Sequence, residues 1–185
     1  MIMKKLIIAL STLVVIVLGH ADPALAQTEQ GNFLVGGSVG NLNFRKGITS
    51  FSISPQGGYF VAENLALGLS ADFAYTRFTS EFSPTFEGNS IGYGVGPFAR
   101  YYIGDSRLRP LIQLLYSYNY SRLDVTSQVN ETTTQLFAAG GGVAYFLTDN
   151  VAFESLISYN RDLNRNAAAP NSIDISFGFQ IYLGK

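Results

Sequence analysis

Four charged residues, Asp72, Arg100, Glu154 and Asp174, stand on the less apolar side of alternating stretches, where their side chains would share one interior. Two acids held at a set separation beside a cleft would make a glycosidase-like hydrolase. An acid and a base at equal depth in a narrow interior would instead neutralise each other. The spacing favours the second. Glu154 follows Asn150 by four residues and Arg100 precedes Gly104 by four, and both reference residues lie in turn-forming stretches. We therefore expect these lumen charges to serve structural pairing rather than catalysis, with Arg100 and Glu154 meeting across the interior.

Other chemistries lose their reagents. There is no cysteine in the 185 residues, and the single histidine, His20, sits near the N-terminus in an apolar leader. Activating a serine near neutral pH needs such a base, and scattered carboxylates alone make a poor metal site. The stretch Gly92-Tyr93-Gly94-Val95-Gly96 invites a nucleotide-loop reading. Its glycines instead share one face of a strand, and no helix follows to hold a phosphate. Gly140-Gly141-Gly142 likewise reads as a place where crowding forbids side chains. No enzyme activity, cofactor or metal is expected. Twelve basic against thirteen acidic residues leave no footprint for nucleic acid.

The elements that position these residues begin with a leader. Lys4 and Lys5 precede an apolar run, Leu6 to Leu18, and Pro23 leads into Ala24-Leu25-Ala26, the small-x-small pattern of signal cleavage. The run is shorter than the ~20 residues of a membrane helix. Cleavage after Ala26 would divide the chain into a signal peptide, 1–26, and one domain, 27–185.

That domain breaks into eight stretches with a period of two, the mark of strands with unlike faces. They run over about 32–42, 50–61, 64–77, 90–103, 109–121, 133–147, 150–161 and 172–183. In the last, Ile173, Ile175, Phe177, Phe179, Ile181 and Leu183 oppose Asp174, Ser176, Gly178, Gln180 and Tyr182. Ala62-Glu63-Asn64, residues 104–108 and Thr148-Asp149-Asn150 are tight links, whereas 43–49, 78–89, 122–132 and 162–171 are longer and polar. Short turns at one end and long loops at the other describe an outer-membrane barrel with both termini in the periplasm.

Alternation alone does not say which face is buried, and a lipocalin-like barrel would turn the apolar face inward around a ligand. Here the opposite face is rich in Gly, Ser, Asn and Gln, which suits a narrow lumen better than a solvated surface. Aromatics also gather at strand ends, as headgroup belts do. Tyr59, Phe60, Tyr101, Tyr102, Tyr145, Phe146 and Tyr182 lie toward the short turns, and Tyr75, Phe78, Tyr93, Tyr118, Tyr120 and Tyr159 toward the long loops. A closed barrel satisfies every strand hydrogen bond, which lipid demands.

The phrases Tyr59-Phe60-Val61-Ala62-Glu63-Asn64-Leu65-Ala66 and Tyr145-Phe146-Leu147-Thr148-Asp149-Asn150-Val151-Ala152 repeat one hairpin. With the C-terminal strand, they give a chain that resembles the small eight-stranded outer-membrane β-barrels related to outer-membrane proteins A and X and the opacity proteins. Ser176, Gly178, Ile181 and Leu183 resemble the signal read by the barrel assembly machinery, although Gly184-Lys185 follows where many members end on an aromatic residue. The fold implied is all-β: an eight-stranded antiparallel up-and-down transmembrane β-barrel behind a cleavable signal peptide. The expected place is the cell outer membrane, with its lipid and lipopolysaccharide as partners. The expected role is structural or surface interaction, carried by four outer loops holding Arg45, Lys46, Arg77, Glu81, Glu87, Arg122, Asp124, Glu131, Asp162 and Arg165. These charges would form a solvated rim or meet lipopolysaccharide phosphates or a surface ligand. A narrow ion-conducting pore is the alternative, and a soluble lipid-binding barrel a further one.

Overall fold

Residues alternating between β-branched or aromatic and small polar types can satisfy their backbone only in a paired strand, and a sheet with one apolar face in lipid must close. The computed structural model describes residues 28–45, 47–79, 87–125, 128–164 and 171–184; Ala24 and Ala26, and with them the leader, lie outside these. Eight strands follow in chain order: β1 Phe33–Arg45, β2 Ile48–Ala62, β3 Leu65–Thr79, β4 Glu87–Tyr102, β5 Leu108–Val125, β6 Gln128–Thr148, β7 Val151–Asp162 and β8 Asn171–Leu183. Each pairs antiparallel with the next, and β1 pairs with β8, so the sheet is a closed barrel.

The ladder also sets the tilt. Paired residues run round the wall from Leu34 through Gly58, Gly68, Phe98, Leu115, Ala138 and Asn160 to Ser172. Ser172 lies beyond Ser176, the partner of Gly40, so one circuit returns to β1 about ten residues from its start. Such a stagger tilts the strands well away from the barrel axis.

The apolar face points outward. Leu67, Leu69, Ile112, Leu114, Phe177, Phe179 and Ile181 are all exposed on the outer wall, Leu69 by 62%. A lipocalin-like barrel would bury these residues, so the inward-facing alternative is excluded. Inside, Leu34, Phe60, Ala66, Phe98, Tyr102, Leu111, Ala144, Phe146, Ala152 and Tyr182 form the core at the end bearing the short turns.

Two expectations need correction. Tyr59, Tyr101 and Tyr145 do stand on the outer wall, but Phe60, Tyr102, Phe146 and Tyr182 are buried in the lumen. Consecutive strand residues point to opposite faces, so the pairs Tyr59-Phe60, Tyr101-Tyr102 and Tyr145-Phe146 must each split between belt and core. The loops differ too. Of the four stretches expected as long loops, 43–49 and 122–132 are mostly ladder: β1 and β2 stay paired to Arg45 opposite Ile48, and β5 and β6 to Val125 opposite Gln128. Beyond the lipid both faces are wet, so the apolar period fades while the backbone pairing continues.

Candidate functional site: a buried charge layer beneath a polar cup

Strand parity brings the interior residues into one column. Arg100 from β4 and Glu154 from β7 face each other across the barrel, with Arg100 Nη1 2.7 Å from Glu154 Oε2 and side-chain exposures of 3% and 7%. A buried charge pair is costly to desolvate and persists only when its remaining hydrogen-bonding positions are filled. Here they are. Arg100 Nε donates to Gln113 Oε1 at 2.7 Å, Nη1 donates also to the Tyr102 hydroxyl at 3.3 Å, and Nη2 donates to Gln56 Oε1 at 3.0 Å and to Gln113 Oε1. All five guanidinium protons thus have acceptors. Glu154 Oε1 accepts from the Tyr102 hydroxyl at 2.9 Å and lies 3.0 Å from that of Tyr182, whose oxygen is also 3.0 Å from Tyr102.

Below this layer the lumen is closed. Phe60, Tyr102, Phe146 and Tyr182 pack ring to ring, with centroids 5.0 Å apart for Phe146 and Tyr182 and 6.0 Å for Phe60 and Tyr102. Arg109 then lies over the Phe146 ring, 4.5 Å from its centroid, and donates to Thr28 Oγ1 at 2.7 Å and to the Ser106 carbonyl at 3.0 Å. Thr28 also bonds the Asn64 side chain, and its carbonyl accepts the Asn64 amide at 2.7 Å. The segment before β1 is thereby tied across the turn end. Neither this cap nor the role of Arg109 was legible in the sequence, because Arg109 stands at the start of its strand and no repeated pattern ties it to Thr28, 81 residues earlier.

Above the layer lies a cup of about 350 Å³ that includes Asp72, Asp174, Ser54, Ser117, Asn119 and Asn160 in its wall. Asp174 accepts from Asn160 Nδ2, and Asp72 is held by Ser54. The four lumen charges thus divide: Arg100 and Glu154 meet, whereas Asp72 and Asp174 take neutral partners. Among the described residues no three His, Cys, Asp or Glu side chains converge on a point where a metal ion could sit.

Of the C-terminal residues, Gly178 is buried inside, where a Cβ would stand 2.3 Å from the Gly37 carbonyl, while Ile181 and Leu183 face outward. Of the loop charges, Arg122 lies 3.3 Å from Asp124 and 3.9 Å from Glu131 on the exposed β5–β6 hairpin. Lys46, Glu81 and Arg165 lie outside the described residues.

The closed eight-stranded wall, the outward apolar face and the filled lumen define the architecture, and comparison with known proteins decides the family. The model of the outer membrane protein beta-barrel domain matches residues 11–180. The chain belongs to that family. Three solved barrels show the same fold at low identity. The N-terminal β-barrel domain of OprF from Pseudomonas aeruginosa has a TM-score of 0.54 at 13% identity, covering 83% of this chain and 98% of its own. Neisserial surface protein A has 0.53 at 22%, covering 82% and 97%. Ail, the attachment invasion locus protein of Yersinia pestis, has 0.50 at 15%, covering 83% and 99%. A comparison with curated protein sequences found no match. This outer-membrane barrel therefore crosses the bilayer with strands, and its apolar belt is the surface that meets lipid.

Proposed function

We propose that this barrel is a sealed, non-enzymatic mount in the outer membrane whose work is done at its outer end, in adhesion or in shaping the envelope. One observation carries the reading: the lumen is blocked at mid-depth by the Arg100–Glu154 layer and below it by the Phe60, Tyr102, Phe146 and Tyr182 cluster. A wall so filled leaves no water column for a solute to follow. The parts free to vary are then the connections at 80–86 and 163–170 and the tips of the two extended hairpins, in the manner of binding loops on a rigid scaffold. Export through cleavage after Ala26, insertion guided by Ser176, Gly178, Ile181 and Leu183, and contact with lipopolysaccharide at the rim belong to the same proposal.

Two measurements test it. Purified protein in planar bilayers should give no unitary current steps, and steps abolished or altered by Arg100→Ala would establish the pore instead. Replacing 80–86 and 163–170 with short Gly-Ser links should leave the barrel inserted but change the surface behaviour of cells that carry it. Unchanged attachment and envelope permeability after all four outer connections are shortened would defeat the reading.

A further inference from the structure

The seam between β1 and β8 stops below the rim. Its last pair is Gly40 with Ser176, although β1 runs on to Arg45 and β8 begins at Asn171. The cause is a bulge: the register of β1 against β2 shifts between Gly40 and Asn43, and an irregularity of that kind bends a strand and ends its pairing on the other side. Above it β1 stays with β2, as far as Arg45 opposite Ile48, and β8 stays with β7, as far as Asn171 opposite Arg161. The apolar band does not stop with the seam. Above Ser176 the outer face of β8 adds Ile175 and Ile173, 55% and 71% exposed. Tyr182 donates its N–H toward β7, to the Asn150 carbonyl at 2.8 Å, so the odd-numbered residues of β8 turn their backbone groups toward β1. There Ile175 and Ile173 have no strand partner among the described residues. Polar backbone at membrane depth needs a hydrogen-bonding neighbour. The cup brings space for one to this place: Ser38, Gly40, Asp174, Ile175 and Ser176, on both sides of the foot of the gap, all line it.

We propose that this gap is a side entrance from the outer leaflet, and that the cup holds the head of a single-chain lipid with an uncharged, hydroxylated head of the monoacylglycerol kind. The head bonds the unpaired backbone of the seam and the serines of the cup wall, Ser38, Ser52 and Ser158. The tail passes out through the gap and lies over Ile173, Ile175 and Phe177, which are exposed beside it. Adjacent strands stand about 4.8 Å apart, so the foot of the gap passes one hydrocarbon chain and not two. A carboxylate head would be set beside Asp174 and repelled. The cavity of about 350 Å³ has room for a glycerol-sized head. Its floor, the Arg100–Glu154 layer, ends the path, so the lipid is held rather than carried through.

The test is photolabelling of the barrel, refolded into phosphatidylcholine vesicles, with a monoacylglycerol that carries a diazirine in mid-tail. Mass spectrometry of the peptides then locates the label. Saturable labelling is expected at Ile173, Ile175 and the residues flanking Gly40, displaced by unlabelled monoacylglycerol and not by palmitate or a two-chain lipid. A Cβ at Gly40 meets nothing nearer than the Ser52 hydroxyl at 3.3 Å, so Gly40→Leu fills the foot of the gap without disturbing the ladder and should abolish the saturable part. Ser52→Ala with Ser158→Ala leaves the gap open, removes two hydroxyls from the cup, and should weaken displacement by about tenfold, as two lost hydrogen bonds would. Each variant is first checked for a boiling-dependent gel shift, so that loss of labelling is not loss of fold. Label spread evenly round the wall, over Leu69 and Leu114 as over Ile173, would mean ordinary annular lipid and overturn the assignment. So would equal displacement by palmitate, or saturable labelling that both sets of substitutions leave unchanged.

Discussion

Glu154 shows what a single atom group does in this lumen. Truncating it to alanine strands the Arg100 guanidinium, still buried and still charged, and unpaired burial of that kind costs about 3–5 kcal/mol. Equilibrium urea unfolding in phospholipid vesicles should show that loss for Glu154→Ala. The double replacement Arg100→Met with Glu154→Leu should recover most of it, since apolar packing substitutes well for a buried pair. A single variant as stable as the parent would mean the pair contributes nothing. Glycine gives the second residue-scale lesson. Gly92, Gly94 and Gly96 read alike in the sequence, as small residues on one face, and that much was legible. Their need for glycine was not. A Cβ at Gly92 meets nothing nearer than 3.7 Å, whereas at Gly96 it would stand 1.8 Å from the Tyr116 carbonyl of the paired strand. That backbone cannot withdraw without breaking the ladder, so Gly96→Ala should lower stability by about 1–3 kcal/mol in the same assay. Gly92→Ala should change it by about 0.5 kcal/mol or less.

Among the elements, the β5–β6 hairpin separates what pairing requires from what lipid requires. Its outer face carries Ile112, Leu114, Tyr116 and Tyr118 on one strand and Tyr145 and Phe137 on the other, then turns to Arg122, Asp124 and Glu131. The apolar band ends there although the ladder runs on to Val125 and Gln128. This is why the period of two located β5 within the membrane and stopped short of its true end: hydrophobic patterning records the bilayer, not the hydrogen bonds. It also explains the aromatics. Tyr101-Tyr102 reads as two belt residues by type, and only the pleat assigns Tyr102 to the interior, where its hydroxyl reaches Glu154. Eight strands, their order and the outward face were legible because each is written in residues repeated along a whole strand. The floor of the lumen was not, because it is assembled from single residues on five strands. Replacing Leu123–Asn130 with Asn-Gly, a two-residue turn matched to the strand twist, should leave insertion and the boiling-dependent gel shift intact. Failure of that shortened chain to insert would show that the projecting ladder is needed for the barrel itself.

For the whole molecule, the decisive joint is the pairing of the first strand with the last. Phe33 sits opposite Leu183 and Gly40 opposite Ser176, so the seam closes between ends of the described chain. Every other hairpin can form from neighbours a few dozen residues apart, but this one must bring together segments separated by nearly the entire domain. Forming contacts of such separation is slow, because the closure entropy is spent before the contacts return it. Removing 171–185, which deletes β8, should therefore abolish the gel shift entirely rather than yield a barrel of seven strands, since β1 and β7 would be left with open edges in hydrocarbon. A stable, heat-modifiable product from that truncation would refute this. The seam also sets a rule of timing. No order of synthesis lets the wall finish early, so the chain stays an aggregation-prone collection of exposed edges until its final strand has been delivered. The stability of the finished object and the hazard of the unfinished one then have a single origin: a structure without ends exists only when it is complete.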